Sequence, residues 1–267
     1  MLNTLFGDLY LKFLSNNRLE RIWKLAQVDF KKRYYNDKLG LLWALLNPVL
    51  QVIIYYLVFN NIMDRGTEDF AFFLFSGLIV WTSYLIGTKQ SLNIFKMKRY
   101  LIENIQFNKL DLFFSHLLST LLGFLFNIIA YLIIALSYGI EINFVYALFM
   151  FPLVLIVLYL IIFGSSMLLS TLAIHLKDIS HIWDFVLLFG FWTAGIFFPI
   201  ERIMDKFPAL LYANPMLGII ANTRNLLMLD QPMNWEYLLV NLVQGVIIVI
   251  IGSFIYRRYS GSAIEKL

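Results

Sequence analysis

The chain has no cysteine, so disulfides, thiol nucleophiles and cysteine-ligated zinc are excluded. Charge is scarce as well. Only 14% of the 267 residues are Asp, Glu, Lys or Arg, where soluble domains carry about 25%. No G-x-x-x-x-G-K-[ST] loop occurs, so the chain has no recognisable ATP site of its own. No long uncharged h-region opens the sequence either. Asp8, Lys12 and Arg18 interrupt its first apolar residues, which does not fit a cleavable signal peptide. What is present is apolar: 60% hydrophobic and 17% aromatic residues, against about 45–50% apolar in soluble domains. That composition predicts an all-α polytopic membrane protein.

A helix that crosses the hydrocarbon core needs about 20 mostly apolar residues. Five segments qualify, roughly 41–63, 70–88, 112–138, 144–174 and 237–256, and a sixth at 185–200 is short. Residues 203–229 are apolar but broken by Pro208, by Asn214 and Pro215, and by charges. They are expected to form one or two re-entrant half-helices before the last span, buried in protein or lining a cavity. Seventeen Lys and Arg fall in 1–40, 89–111, near 177 and in the tail, against four (Arg65, Arg202, Lys206, Arg224) on the other side. The positive-inside rule then puts both termini in the cytoplasm. The expected organisation is a cytoplasmic amphipathic segment 1–40, a six-helix transmembrane domain 41–256 and a cytoplasmic tail 257–267. The basic residues mark topology rather than nucleic-acid binding.

Two stretches before the first span have one-sided helical periodicity. The first carries Leu2, Leu5, Phe6, Leu9, Tyr10 and Phe13 on one face. The second carries Leu19, Ile22, Trp23, Ala26 and Phe30 opposite Arg18, Arg21, Lys24 and Lys31. Basic amphipathic helices of this kind lie in the membrane interface. Such a helix serves equally as an anchor for the first span or as a lever against a cytosolic partner.

The run Phe30-Lys31-Lys32-Arg33-Tyr34-Tyr35, then Leu39-Gly40-Leu41-Leu42-Trp43 and Asn47-Pro48, resembles the opening of the membrane subunit of type-2 ABC exporters. The likeness is to the branch that exports O-antigen, capsule or teichoic-acid polymers. Lys177-Asp178-Ile179, Phe198-Pro199-Ile200 and Tyr212-Ala213-Asn214-Pro215 with Arg224 follow the same pattern in order. One departure is the cytoplasmic loop between the second and third spans, where family members carry prolines and residues 91–111 have none.

The resemblance implies a transport subunit and not an enzyme. It carries no cofactor, pairs with a second copy of itself, and is driven by two cytosolic ATPase subunits that hold ATP and Mg. Its cargo would be a lipid-linked glycan, and its home the cytoplasmic (inner) membrane of a bacterium among membrane lipids. Energy would then enter mechanically. Arg33 and loop 89–111, with Lys96, Lys98, Arg99, Tyr100 and Glu103, are the expected ATPase coupling residues, with a short helix near 98–106. The bland alternative is a solvated basic linker near anionic headgroups.

In the first span Trp43, Asn47, Gln51, Tyr55 and Phe59 are four residues apart and form one slowly coiling stripe. Amides are costly in lipid, so Asn47 and Gln51 should face protein or water. Aromatic rings beside amides suit the apolar faces and hydroxyls of sugars, which makes this stripe the expected substrate conduit. Trp81 and Tyr84, and Phe185, Phe189 and Trp192, extend it. Singly, each of these aromatics is better explained by core packing or an interfacial belt, and only the Trp43–Phe59 stripe as a unit favours the conduit. Pro199, Pro208, Asn214, Pro215 and Arg224 form either a moving gate over the exit or a rigid plug.

His175, Asp178 and His181 are spaced by three, but suit a polar helix end better than a metal site. The run Gly164, Ser165, Ser166, Ser170 and Thr171 suits close helix packing. Other readings are a type-2 exporter of a drug or lipid, a polytopic transferase acting on a lipid-linked substrate, and a channel. The transferase would need an acid–base constellation, and the channel an intramembrane charge ring.

Overall fold

The computed structural model describes residues 17–34, 40, 42–62 and 69–265. The amphipathic stretch at 2–13, Tyr35, Lys38, Leu39, Leu41 and Arg65 lie outside the described residues. All regular structure among the described residues is helical. Helix α1 is Arg18–Tyr34, and α2 is Leu42–Tyr56, continued by a π-helical turn Leu57–Ile62. Next come α3 (Phe70–Ser91), the short α4 (Ile94–Met97) and α5 (Arg99–Asn104), α6 (Leu110–Ser137), α7 (Phe144–His175) and α8 (Ile179–Thr193). Three short elements follow, α9 (Ile200–Lys206), α10 (Leu210–Ala213) and α11 (Pro215–Leu227), before α12 (Trp235–Glu265).

Four helices, α3, α6, α7 and α12, are long and apolar enough to cross a membrane unaided. The first and fifth expected spans are shorter apolar helices. The first changes to π geometry after Tyr56. The fifth starts at Ile179, earlier than the sequence suggests, and stops at Thr193. Gly195, with φ +76°, turns the chain away just beyond it, a conformation that costs glycine nothing.

Helices α7 and α12 share the most extensive packing in the molecule. Their backbones touch where glycines meet. A Cβ on Gly164 would lie 2.6 Å from the backbone nitrogen of Val249, and one on Gly252 would strike the carbonyl oxygen of Gly164. Backbone atoms cannot swing aside, so only small residues permit this approach. Ser165, Ser166, Ser170 and Thr171 are buried beside them, consistent with the packing role expected of that run. Helix α3 is central and packs against α2, α6, α7, α8 and α11.

At the end of the bundle where α1 lies, the amphipathic pattern is only half followed. The sequence places Arg21 on the polar face, yet Arg21 is buried with Leu25 and Ala26, whereas Leu19 and Trp23 are exposed. The cause is Asp111, fully buried at the start of α6. Arg18 Nε donates to its Oδ1 at 2.9 Å, and Arg21 Nη2 donates to its Oδ2 at 2.5 Å. Farther along the same stripe Asp29 accepts from Lys98 Nζ, and Arg33 Nη2 donates to Gln90 Oε1 at 2.7 Å. Positions 18, 21, 25, 29 and 33 recur every three or four residues, which is one face of a helix. A single stripe therefore binds α1 to α6, to the α4–α5 segment and to the end of α3.

At the opposite end, here the far end, α11 begins as its sequence dictates. The Asn214 side chain caps it by accepting from the Met216 N–H at 3.1 Å, and Pro215 occupies the first turn. Nearly all of α11 is buried, against α3, α7 and α12. Residues 200–227 thus comprise three short helices, where one or two were expected over 203–229.

Candidate functional site

Helices α2 and α8 are apolar but sparsely covered. In α8 only Leu187 is buried. On α2 the expected stripe divides in two. Trp43, Asn47 and Gln51 are exposed, whereas Tyr55 is half-buried and Phe59 is buried. Tyr55 meets Phe197 edge-on at 5.1 Å and Phe191 at 6.0 Å, and Phe59 stacks on Phe197 at 5.0 Å. Rings thus bridge α2 to the end of α8 towards the far end, and the amides stay open nearer the α1 end. Offset and edge contacts of this kind are the favoured aromatic geometries.

Phe185, Phe189 and Trp192 are exposed on α8, and their steps of four and three put them on one face. Trp192 also stacks on Phe197 at 5.1 Å. Trp81 and Tyr84 differ: both are buried, with Trp81 against Tyr84 and Phe191. Within a single chain they pack behind α8, with Trp81 against Phe191 and close to Gly190. Phe191 and Phe197, which the spacing does not single out, hold the cluster together.

At the far end Arg224 is buried and fully employed. Its Nη1 donates to the Gly195 carbonyl at 2.6 Å, and its Nη2 donates to Ile196 at 2.9 Å and Phe73 at 3.0 Å. Its guanidinium carbon lies 3.4 Å from the centre of the Phe73 ring. The planar fork of arginine is what allows several carbonyls to be served at once. Asn214 Nδ2 donates to the Gly190 carbonyl at 2.9 Å and to Thr193 Oγ1 at 3.0 Å. These two residues pin α11 to the end of α8 and to the first turns of α3. Pro199 sits at the start of α9, and Pro208 separates α9 from α10.

At the α1 end the expected coupling residues separate into two groups. Lys98 is buried and committed to Asp29, and Arg33 to Gln90. Lys96 is exposed. Arg99 pairs with Glu103 one turn on at 2.6 Å, on the surface. Tyr100 is 66% exposed and Met97, not anticipated, 60%. A flat apolar pair thus projects from α4 and α5 with charges around it. Lys89 forms a further ion pair with Asp184 of α8 at 2.8 Å.

His175 contacts the Thr171 carbonyl at 3.1 Å, and its ring meets Tyr259 edge-on at 5.7 Å. Asp178 stands at the start of α8. Among the described residues no group of three or more His, Asp or Glu could hold a metal ion.

The chain is similar in sequence to known transport proteins. The family model of the ABC-2 type transporter matches residues 20–228. An O-antigen export system permease protein RfbA of Klebsiella pneumoniae is 27% identical over 236 residues, covering 88% of this chain and 90% of that protein. A second K. pneumoniae RfbA is 26% identical with the same coverage, and an RfbA of Myxococcus xanthus is 25% identical over 74% of this chain and 76% of its own. The match runs from α1 through α11, and on it the chain belongs to the ABC-2 type transporter family.

Proposed function

We propose that this chain is the transmembrane subunit of an ATP-driven exporter that moves a lipid-linked polysaccharide of the O-antigen, capsule or teichoic-acid kind across the cytoplasmic membrane. It works as two copies with two cytosolic ATPase subunits, and the α1 end lies in the cytoplasm. In this reading α2 and α8 complete the six spans, and α1 lies in the membrane interface with Leu19 and Trp23 towards lipid. The relatives named for O-antigen export, similar over most of the chain, support the cargo. The observation that carries the transport surface is the exposure of Asn47 and Gln51 on one side of an otherwise apolar helix. Lipid is a poor solvent for amides, so that side faces water and sugar hydroxyls.

The mechanism follows from how the parts are tied. An ATPase that grips Met97 and Tyr100 moves α4 and α5. Lys98–Asp29 passes the motion to α1, and Asp111 and Gln90 pass it to α6 and α3. Rigid connection matters here, because a slack linkage would dissipate the stroke. The glycan travels along the groove between α2 and α8, its rings against aromatic faces and its hydroxyls on the amides. At rest the cluster of Tyr55, Phe59, Phe191 and Phe197 closes the groove. The helices α9–α11 move with the end of α8, because Asn214 and Arg224 fasten them to it.

The test is complementation. In a strain lacking the permease, this chain together with its ATPase restores surface glycan. The chain with an ATPase unable to hydrolyse ATP does not, and export independent of the ATPase would refute the reading.

A further inference from the structure

Between the end of α8 and α9–α10 lies an open cavity of about 820 Å³. Its lining includes Trp192, Thr193, Phe198, Arg202, Lys206 and Phe207. Small-molecule sites are typically about 300–1,000 Å³, apolar with a few placed polar groups. The charges of α9 are sorted by helical position. Arg202 and Lys206, one turn apart, line the cavity, whereas Glu201 and Asp205, one turn apart on another side, do not. Neither cation forms an ion pair among the described residues. Cations are rare at this end of the molecule. Arg224 is consumed by backbone carbonyls, and Arg65 lies outside the described residues. The two that remain available among the described residues line one cavity.

Trp192 and Phe207 are both more than half exposed, and the stacking of Trp192 on Phe197 holds one ring as a fixed wall. We propose that this cavity binds an anionic sugar unit, a pyranose bearing a carboxylate or phosphate, with its ring on the aromatics and its oxyanion on Arg202 and Lys206. Arginine forks match such oxyanions bidentately. A bare lipid headgroup needs neither the flat rings nor a space so much larger than a phosphate. Thr193, in the lining, bonds Asn214, so occupancy is felt at the cap of α11. The proposal rests on the glycan-export reading and adds a preference for charged glycan at the exit.

The experiment titrates the full-length chain, in phosphatidylcholine nanodiscs, with tetragalacturonate, maltotetraose and inorganic phosphate by calorimetry. Tetragalacturonate binds best. Replacing both cations (R202Q with K206Q) weakens it about tenfold or more, the scale of losing a charge-assisted hydrogen bond. Maltotetraose is unmoved by that change, and W192L weakens both sugars. Inorganic phosphate alone binds more weakly than the charged sugar. The control pair E201Q with D205Q leaves all binding unchanged. Arg202 and Lys206 are exposed and unpaired, so the double variant keeps the wild-type melting temperature. K206Q alone gives a smaller loss in the same direction. Three results overturn the proposal: no binding by the wild type, equal binding by the double variant, or displacement of the sugar when phosphatidylglycerol is added to the nanodisc, which would make the cations a lipid anchor. Normal export by wild type and double variant together with one of these results refutes this site alone. Failure of the wild type to export refutes the transport reading.

Discussion

Arg224 Nη1 lies 2.6 Å from the carbonyl oxygen of Gly195, the residue at which the chain leaves α8. The same guanidinium reaches Phe73, 151 positions away in sequence. One side chain thereby joins the start of α3, the end of α8 and α11.

Arg224→Lys keeps the charge but loses the fork. It cannot serve the Gly195, Ile196 and Phe73 carbonyls together, and each buried hydrogen bond lost in this way costs about 1–3 kcal/mol. Thermal unfolding of the purified chain should begin lower by about 5 °C or more. An unchanged melting temperature would mean that the guanidinium does not hold these elements together.

Asp111→Asn removes the buried anion beneath Arg18 and Arg21. Breaking a buried pair and leaving one charge uncompensated costs about 3–5 kcal/mol. Hydrogen exchange across Arg18–Tyr34 should accelerate much more than in α7 or α12. Equal protection in wild type and variant would show that α1 is held by something else.

The sequence made these two ties legible to different degrees. Asn214-Pro215 is readable as a helix start, because an amide cap followed by proline has a local physical meaning. Arg224 is readable only as an odd charge in an apolar stretch, since its carbonyl partners come from two distant places, Phe73 and the turn at Gly195 and Ile196. The long apolar runs of α3, α6, α7 and α12 announce themselves by length. Helices α2 and α8 are less clear, because a π-turn and a glycine shorten them and neither has a composition signal. On α1 the periodicity picks out a helix but misorients it. A buried Asp111, 90 residues away, draws Arg21 inward against the amphipathic pattern. The burial of Lys98 is illegible for the same reason, as its partner Asp29 belongs to another element. The Trp43–Phe59 stripe is visible as spacing, but its division into an open half and a packed half depends on Phe191 and Phe197.

Coupling should divide along the same line. Tyr100→Ala together with Met97→Ala should abolish co-purification of the ATPase while leaving the melting temperature of the chain unchanged, since both side chains are exposed. Lys98→Ala should lower the melting temperature, because Asp29 loses its partner in a largely buried place. Retained ATPase binding in the double variant would place the docking surface elsewhere.

Gly252→Val tests the α7–α12 seam. Its side chain meets the Gly164 carbonyl, and neither backbone can yield. The helices must separate, and the yield of folded, non-aggregated protein by size-exclusion chromatography should fall severely. A normal yield would mean that the two helices are free to slide.

Export along α2 requires the glycan to touch one particular side of that helix. The absence of native cysteine allows single-cysteine photocross-linkers to be placed cleanly at Gln51 and, on the opposite side of the same helix, at Ile53, which is also exposed. During ATP-driven export of a labelled glycan, the Gln51 position should capture the sugar and the Ile53 position should not. Glycan captured equally at both positions, or only lipid captured at Gln51, would contradict the account.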